Sequence, residues 1–339
     1  MKKFGFGIVG CGMIADLHAD VIAGISRAAF VGVFDKDIDR ASAFAEKKGA
    51  QKVYLSYEDM LSDSDIDIVC ICTPSGLHAP LIIQAAESGK HFIVEKPMAI
   101  TEEQLSSVIS AVEKNHVKGE VISQYRFSLA VQTVKQAVER GQLGKIILAD
   151  IYMKYHRSAE YYNSSWRGTK AMDGGGALMN QGIHGIDLLQ YIVGDVKSVM
   201  GCCRTLLHNI EVEDTASLTV EYANGAIGTI QGTTSVNPGY PRRIEIHGTE
   251  GSVVLEEDRI VVWDIEGTPM PEQKEKSVTA SHNNPMAISN KYHKIQFEDL
   301  ISSIEEDREP LISVYEGKKP VDIVLAAYKS EKEGRKILL

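Results

Sequence analysis

Three short motifs hold the residue types best suited to chemistry. The first is Gly-Cys-Gly-Met-Ile-Ala at residues 10–15, between an apolar run and a helical pattern. In such a turn Gly10 permits a tight bend, Gly12 lets the backbone approach a pyrophosphate, and a small third residue lets the helix pack on the sheet. The N–H groups that open the helix, here at Met13 and Ile14, can then bind phosphates. The motif predicts a dinucleotide site, and the alternative is a plain turn that caps the helix.

A carboxylate follows the second predicted strand, at Asp35. In dinucleotide-binding folds, a carboxylate about 20 residues beyond the glycine motif binds the ribose hydroxyls of NAD. It also repels the 2′-phosphate of NADP, whereas the nearby Lys36 and Arg40 could attract that phosphate. The sequence therefore favours NAD and keeps NADP as the alternative. Asp35, Lys36 and Arg40 are all predicted to contact the cofactor.

The second motif is Glu95-Lys96-Pro97, directly after the predicted strand His91–Val94. Residues at the carboxyl ends of parallel strands face the crevice where ligands bind in this kind of fold. An ordinary lysine pKa of ~10.4 is too high for a base at neutral pH, but burial and nearby positive charge lower it. Most lysines are solvated surface residues, so only its place after a strand favours an acid–base role for Lys96.

The third motif is a glycine-rich block at 173–187 that opens a predicted helix. Asn180, His184 and Asp187 follow one another at i, i+4 and i+7, so they share one helix face. An amide, an imidazole and a carboxylate there can bind vicinal hydroxyls and relay a proton. The alternative is a buried His184 that pairs with Asp187 and only stabilises the helix. No third ligand accompanies these two residues, so no metal site is predicted.

The elements that must position these motifs change in pattern near residue 123. Before it, apolar runs alternate with helical periodicity, which predicts a parallel sheet covered on both faces. After it, segments such as 217–222 alternate with a period of two and end at turns such as Asn224-Gly225, which predicts an antiparallel sheet. Helices are predicted at 177–193, 292–304 and 320–332, and a polar loop at 266–285.

The predicted fold class is thus an α/β Rossmann domain followed by an α/β domain with a large, mostly antiparallel open sheet. Residues 1–122 form the NAD(P)-binding domain, and residues 123–339 form the domain for substrate binding and oligomerisation. The length of 339 residues agrees with two domains.

Composition excludes several classes of protein. Hydrophobic residues make up 44% and charged residues 24%, which is typical of a globular protein with a core. The net charge of −10 argues against binding to nucleic acid or to a membrane surface. Five cysteines without a Cys-x-x-Cys pair predict a reduced, cytoplasmic protein. The basic and apolar N-terminus imitates a signal peptide, but the glycine spacing favours a buried first strand.

Together the motifs resemble the Gfo/Idh/MocA family, named after glucose–fructose oxidoreductase, inositol dehydrogenase and a rhizopine-catabolism protein. The likeness rests on the glycine turn, the Thr73-Pro74-x-x-x-His78 segment, Glu95-Lys96-Pro97 and the 173–187 block. It extends over nearly the whole chain. The resemblance implies an oxidoreductase that moves a hydride between NAD(P) and a hydroxyl carbon of a sugar, polyol or nucleotide sugar.

The resemblance also implies residue roles. Lys96 and His184 match the catalytic acid–base pair. Further cofactor contacts are expected from the residues that match the nicotinamide cleft, namely Thr73, Pro74, His78, Glu95, Lys96, Gln124 and Arg167. Substrate contacts are expected from Asn180, Arg126, Trp166 and Arg167.

One position departs from the inositol-dehydrogenase pattern. Those members carry an aspartate where this chain has Asn180, and an amide cannot accept the proton. The acid–base work therefore falls to Lys96 and His184. Trp166-Arg167-Gly168 and the segment 179–182 look more like the branch that acts on nucleotide-sugar uronates.

Other functions remain open at the level of sequence. Some relatives retain NAD and cleave glycosidic bonds, and others are NAD(P)- or sugar-sensing proteins without catalysis. A two-domain binding protein with a purely structural glycine turn is a third alternative. The expected partners are a small-molecule substrate and further copies of the chain, in a homodimer or homotetramer.

Overall fold

A computed structural model describes residues 3–273 and 290–339. They form two compact units, residues 3–122 with 290–318, and residues 123–273 with 319–339. The predicted domain boundary between residues 122 and 123 assigned residues 290–318 to the second domain, whereas in the structure they belong to the first unit. Within the described ranges, none of the helices has the length and apolarity needed to span a membrane.

The strands, in chain order, are β1 (Phe4–Val9), β2 (Ala28–Phe34), β3 (Lys52–Val53), β4 (Ile68–Ile71), β5 (His91–Val94), β6 (Gly119–Val121), β7 (Ile146–Lys154), β8 (Val196–Arg204), β9 (Thr215–Tyr222), β10 (Ile227–Thr233), β11 (Arg243–Gly248), β12 (Gly251–Glu256), β13 (Arg259–Ile265) and β14 (Ile337–Leu338). The α-helices are α1 (Met13–Ala23), α2 (Ile38–Lys48), α3 (Tyr57–Ser62), α4 (His78–Glu87), α5 (Glu102–Asn115), α6 (Leu129–Glu139), α7 (Ile183–Val193), α8 (Lys291–Glu305) and α9 (Val314–Glu333).

The first unit is the predicted Rossmann fold. Its six strands are all parallel, in the order β3-β2-β1-β4-β5-β6. The order reverses between β1 and β4, and the crevice outside the carboxyl ends of such strands is where ligands bind. All four residues of β4 are buried, as expected for a strand covered on both faces.

Helix α8 completes the first unit from the far end of the sequence. Its Phe297 is fully buried and stacks on Phe6 of β1, with ring centroids 5.9 Å apart. Leu300 and Ile301 join the same core. The apolar periodicity of 292–304 predicts the helix but does not indicate which sheet it covers.

The second unit contains the large sheet, in the order β13-β12-β11-β7-β10-β9-β8-β14. The pair β7 and β10 is parallel and the other pairs are antiparallel. In β9 the even-numbered residues are buried, and Ser217 and Thr219 are exposed. The predicted turn at Asn224-Gly225 joins β9 to β10, with Gly225 at φ +88°. The alternation of side chains thus builds the mostly antiparallel sheet that was expected.

Two predicted helices differ in detail. The helix at 177–193 divides into a π-helical turn, Ala177–Gly182, and α7. Pro320 lies inside α9, which begins earlier at Val314, whereas proline is usually found in the first turn of a helix. The predicted loop at 266–285 falls partly outside the described residues.

Candidate active site

The glycine turn joins β1 to α1 in a form that only glycine permits. Gly10 has φ +89°, and a Cβ there would lie 2.9 Å from the Cys72 carbonyl oxygen and from the Thr73 methyl group. Gly12 is the N-cap of α1 and provides no side chain to cap it. In the described ranges, a Cβ at Gly12 would meet nothing within 4 Å. The first N–H groups of α1 thus border open space, which fits the pyrophosphate of a dinucleotide.

Asp35, at the end of β2, is held from several sides. Its carboxylate accepts from the Cys11 N–H at 2.8 Å and from the Asp37 N–H at 2.9 Å. Arg40 donates to it through Nε at 3.1 Å and Nη2 at 2.7 Å. Burial raises the pKa of Asp35, but these hydrogen bonds, led by those from Arg40, outweigh it and lower the pKa. The ionised carboxylate suits a ribose diol, while Lys36 is exposed.

The loops after β4 and β5 are joined by His78. Its Nδ1 lies 2.6 Å from the Pro97 carbonyl oxygen and its Nε2 lies 2.8 Å from that of Thr73. Burial lowers the pKa of His78, and the two backbone contacts oppose this effect. Thr73 Oγ1 is buried and has no hydrogen-bond partner in the described part of the chain. His78 is thereby committed to the two loops that carry Thr73 and Lys96, whereas the hydroxyl of Thr73 remains available to a ligand.

Glu95 and the half-buried Lys96 follow β5. Glu95 Oε1 lies 3.0 Å from His18 Nε2. His18, Glu95 and His293 place potential ligand atoms within 4.8 Å of one another. The absence of a metal stays a prediction. Sequence reasoning missed both histidines as site residues, although the family resemblance extends over the stretch Tyr292-His293-x-x-Gln296-x-x-Asp299.

In the second unit, Glu213 binds the backbone of the glycine-rich block. Its carboxylate accepts the N–H of Gly176 at 2.9 Å and the N–H of Leu178 at 2.8 Å. The Tyr328 hydroxyl also donates to it, at 3.0 Å. Burial raises the pKa of Glu213 although these hydrogen bonds oppose the effect. No sequence signal points to Glu213, because its partners lie 35 and more residues away.

The polar face predicted on α7 is divided between different partners. Asn180 Nδ2 donates to Asp173 Oδ1 at 2.5 Å. The half-buried His184 packs against the Tyr125 ring edge-to-face, with centroids 5.2 Å apart. Asp187 forms a buried, bidentate ion pair with Arg126, at 2.9 and 2.6 Å.

The ion pair bears on two expectations, and a substrate contact of Arg126 stays a prediction. Arg126, expected to face substrate, is 3% exposed and its guanidinium also lies over the Tyr191 ring. Asp187, expected to share the polar face or to pair with His184, is engaged by Arg126. The pair itself could not be read from the sequence, because Arg126 reaches α7 from a turn 61 residues earlier. Gln124, expected to contact the cofactor, is buried, and its Oε1 has no partner among the described residues.

Arginine and aromatic side chains gather at the π-helical turn before α7, around Gln181. The Arg167 guanidinium lies 4.5 Å from the Tyr161 ring centroid and 5.0 Å from that of Trp166. The buried Arg157 donates to Gln181 Oε1 at 3.1 and 2.6 Å. Arg167 Nε is buried and, over the described ranges, has no hydrogen-bond partner. An N–H donor in a cationic group that already stacks on rings fits an anionic oxygen. Tyr161 was not predicted from the sequence.

Comparison with known proteins gives family matches in both units. A model described as an oxidoreductase family with an NAD-binding Rossmann fold matches residues 4–123. A model described as the GFO/IDH/MocA C-terminal domain matches residues 131–254.

The relatives are dehydrogenases whose named substrates or bound ligands differ. The crystal structure of the WlbA dehydrogenase from Bordetella pertussis, in complex with NADH and UDP-GlcNAcA, is 32% identical with a TM-score of 0.90. That match covers 100% of this chain and 99% of the other. Levoglucosan dehydrogenase of Pseudarthrobacter phenanthrenivorans is 28% identical over 293 residues, covering 76% of this chain and 75% of the relative. Myo-inositol 2-dehydrogenase of Thermotoga maritima is 25% identical over 346 residues, covering 98% of each.

Proposed function

The chain belongs to the Gfo/Idh/MocA oxidoreductase family, and from this premise we propose that it oxidises a secondary hydroxyl of a nucleotide-linked sugar acid. It is an NAD-dependent oxidoreductase that transfers a hydride, and its first unit is an NAD-binding Rossmann domain. The finer assignments, which are the substrate class and the residue roles, are the proposal.

We assign the cofactor to the turn at Gly10 and Gly12 and to the carboxylate of Asp35. Bound NAD supplies the hydride acceptor. As the carbinol C–H bond breaks and the C=O bond forms, the neutral imidazole of His184 takes the hydroxyl proton. We assign to the Lys96 ammonium the stabilisation of the negative charge that develops on the hydroxyl oxygen. Asn180 orients a neighbouring hydroxyl, since an amide can hold but not remove the proton.

The unpartnered Arg167 Nε carries the proposal of an anionic substrate. A neutral polyol offers no charge to this guanidinium, whereas a carboxylate or phosphate does. Arg157, stacked over the Tyr155 ring at 5.6 Å, adds a second positive charge to the same unit. The 32% identity to dehydrogenases solved with UDP-GlcNAcA supports the same substrate class.

The experiment is an absorbance assay that measures NADH formed from NAD. The compounds tested as substrates are UDP-GlcNAcA, UDP-glucuronate, myo-inositol and levoglucosan. We expect turnover with a nucleotide-sugar acid, and a loss of about 10²- to 10⁴-fold in kcat for Lys96→Met with NADH binding retained. Arg167→Met should raise KM for the anionic substrate more than Arg167→Lys does, because lysine keeps the charge. Turnover of myo-inositol or levoglucosan alone would reject the anionic class. Normal turnover by Lys96→Met would reject the role of the lysine.

A cytoplasmic location and self-association belong to the same proposal. All five cysteines are free, which agrees with a reducing compartment.

A further inference from the structure

Two buried histidines surround Glu95 and take no part in the proposed reaction. His18 lies on α1 and His293 on α8, and each is at most 1% exposed. Segments from residues 18, 95 and 293 therefore converge on the position just before Lys96. This convergence needs α8, the part of the chain that returns to the first unit.

The contacts keep Glu95 charged despite its burial. Burial raises the pKa of a carboxyl group, but the hydrogen bond from His18 and the interactions with the charges of His18, His293 and Lys96 outweigh it and lower the pKa of Glu95 to about 2. Because a carboxylate only accepts hydrogen bonds, His18 Nε2 is the donor in this pair.

A histidine at position 18 carries a cost that packing alone does not explain. Its Nδ1 is buried and, within the described ranges, has no hydrogen-bond partner. A buried polar atom without a partner destabilises the fold. The ring packs edge-on against Phe297, with centroids 5.1 Å apart, and an apolar side chain could make that contact without the cost. The feature particular to histidine is its bond to Glu95.

We propose that His18 and His293 are positioning residues that hold Glu95 as a carboxylate, and that Glu95 orients Lys96 and stabilises its ammonium form. Glu95 Oε2 lies 3.3 Å from the backbone N of Lys96, and opposite charges attract the two side chains. The inference rests on the proposed function, in which the Lys96 ammonium touches the reacting oxygen. A small displacement of such a group lowers turnover strongly.

Two substitutions at one position test this. In His18→Gln an amide N–H can replace the Nε2 donor, whereas the shorter side chain in His18→Asn cannot reach Glu95. The first readout is independent of turnover: acetic anhydride labels lysines of the intact protein, with the exposed Lys145 as internal reference. A less stabilised ammonium releases more free amine, so we expect labelling of Lys96 to rise about 3-fold or more in His18→Asn and to stay near wild type in His18→Gln.

The second readout is steady-state kinetics with the substrate that the wild type turns over. We expect kcat to fall about 10-fold in His18→Asn with KM for NAD unchanged, and to recover to within about 2-fold in His18→Gln. If the wild type turns over none of the four compounds, the proposed substrate class fails while the labelling still decides this inference.

Phe297→Leu is the matched control, because it changes the packing around His18 without removing a hydrogen-bonding group. Equal Lys96 labelling in Phe297→Leu and His18→Asn would overturn the proposal, as would unchanged labelling in a folded His18→Asn. One equivalent of zinc in the wild type, lost in His18→Asn, would also overturn it in favour of a metal centre. If His18→Asn does not fold, His293→Gln, which removes the charge that acts on Glu95, is labelled instead, and unchanged labelling of Lys96 would then overturn the proposal.

Discussion

At the scale of single residues, the cofactor site depends on how Asp35 is held. Arg40 donates two hydrogen bonds to the carboxylate. Arg40 was expected to attract the 2′-phosphate of NADP, but its charge is neutralised by Asp35, which repels that phosphate. The discrimination between the cofactors therefore rests on this pair rather than on either side chain alone.

The Asp35–Arg40 pair leads to a prediction about cofactor preference. Asp35→Ser removes the negative charge and frees Arg40 to bind a 2′-phosphate, as an arginine does in NADP-binding folds. We expect the ratio of kcat/KM for NAD to that for NADP to fall by about 100-fold, or ~2.7 kcal/mol. The double variant Asp35→Ser/Arg40→Ala serves as control and should lose the gain in NADP use. An unchanged ratio in Asp35→Ser would show that this carboxylate does not select the cofactor.

At the scale of elements, single side-chain contacts fix the position of the turn before α7. The turn before α7 is π-helical, and such segments occur often at functional sites. Glu213, just before β9, and Tyr328 of α9 hold this turn, and a Cβ at Gly175 would collide with the Tyr328 hydroxyl. The glycines before α7 thus allow a close approach of α9, which places His184 at the start of a regular helix.

Strand β6 carries the opposite kind of feature, a buried carboxyl group that the structure does not satisfy. Within the described ranges, neither oxygen of Glu120 has a hydrogen-bond partner. Burial, reinforced by the negative charge of Asp299, raises the pKa of Glu120 well above its usual value, although the Gln296 side chain and the charge of Arg308 oppose the effect. The native protein therefore holds this proton more tightly than the unfolded chain, whose glutamate pKa is ~4.3. The stability that comes with the proton is complete below that pH and is lost as the pH rises towards the native pKa.

The prediction concerns the pH dependence of unfolding. Glu120→Gln keeps the shape and removes the titration, so we expect its melting temperature to match the wild type near pH 4.5 and to exceed it at pH 7.5. A gain of ~1 kcal/mol corresponds to about 2–4 °C for a unit of this size. Differential scanning fluorimetry at both pH values measures it, with the exposed Glu87→Gln as control. An equal difference between variant and wild type at both pH values would contradict the assignment.

At the scale of the whole molecule, we expect one face of the eight-stranded sheet to carry the proposed self-association. Leu148 of β7 and Ile227 of β10 are partners in register and are 37% and 52% exposed. Met200 of β8 and Val261 of β13 are also exposed. Apolar side chains in register on an open sheet favour pairing with a second copy.

We expect light scattering after size exclusion to give a mass of two or four times 37.2 kDa for the wild type. Leu148→Glu/Ile227→Glu should shift it to the monomer, because two buried carboxylates would face apolar groups without partners. Leu55→Glu, which changes an exposed leucine of the first unit, should leave the mass unchanged. A monomeric wild type would reject the proposed homo-oligomer.

The sequence by itself determined the features that depend on local order. The spacing of Gly10 and Gly12 predicts the glycine turn. Apolar runs predict the parallel sheet and period-two alternation predicts the antiparallel sheet, because each pattern indicates which faces of a strand are buried. The family resemblance also came from contiguous motifs. The tertiary structure decided which remote segments meet: the return of α8 to the first unit, the pairing of Arg126 with Asp187, and the contacts of His18 and Glu213. The partner of a side chain depends on how distant elements pack, and the spacing of residues along the chain does not indicate this packing.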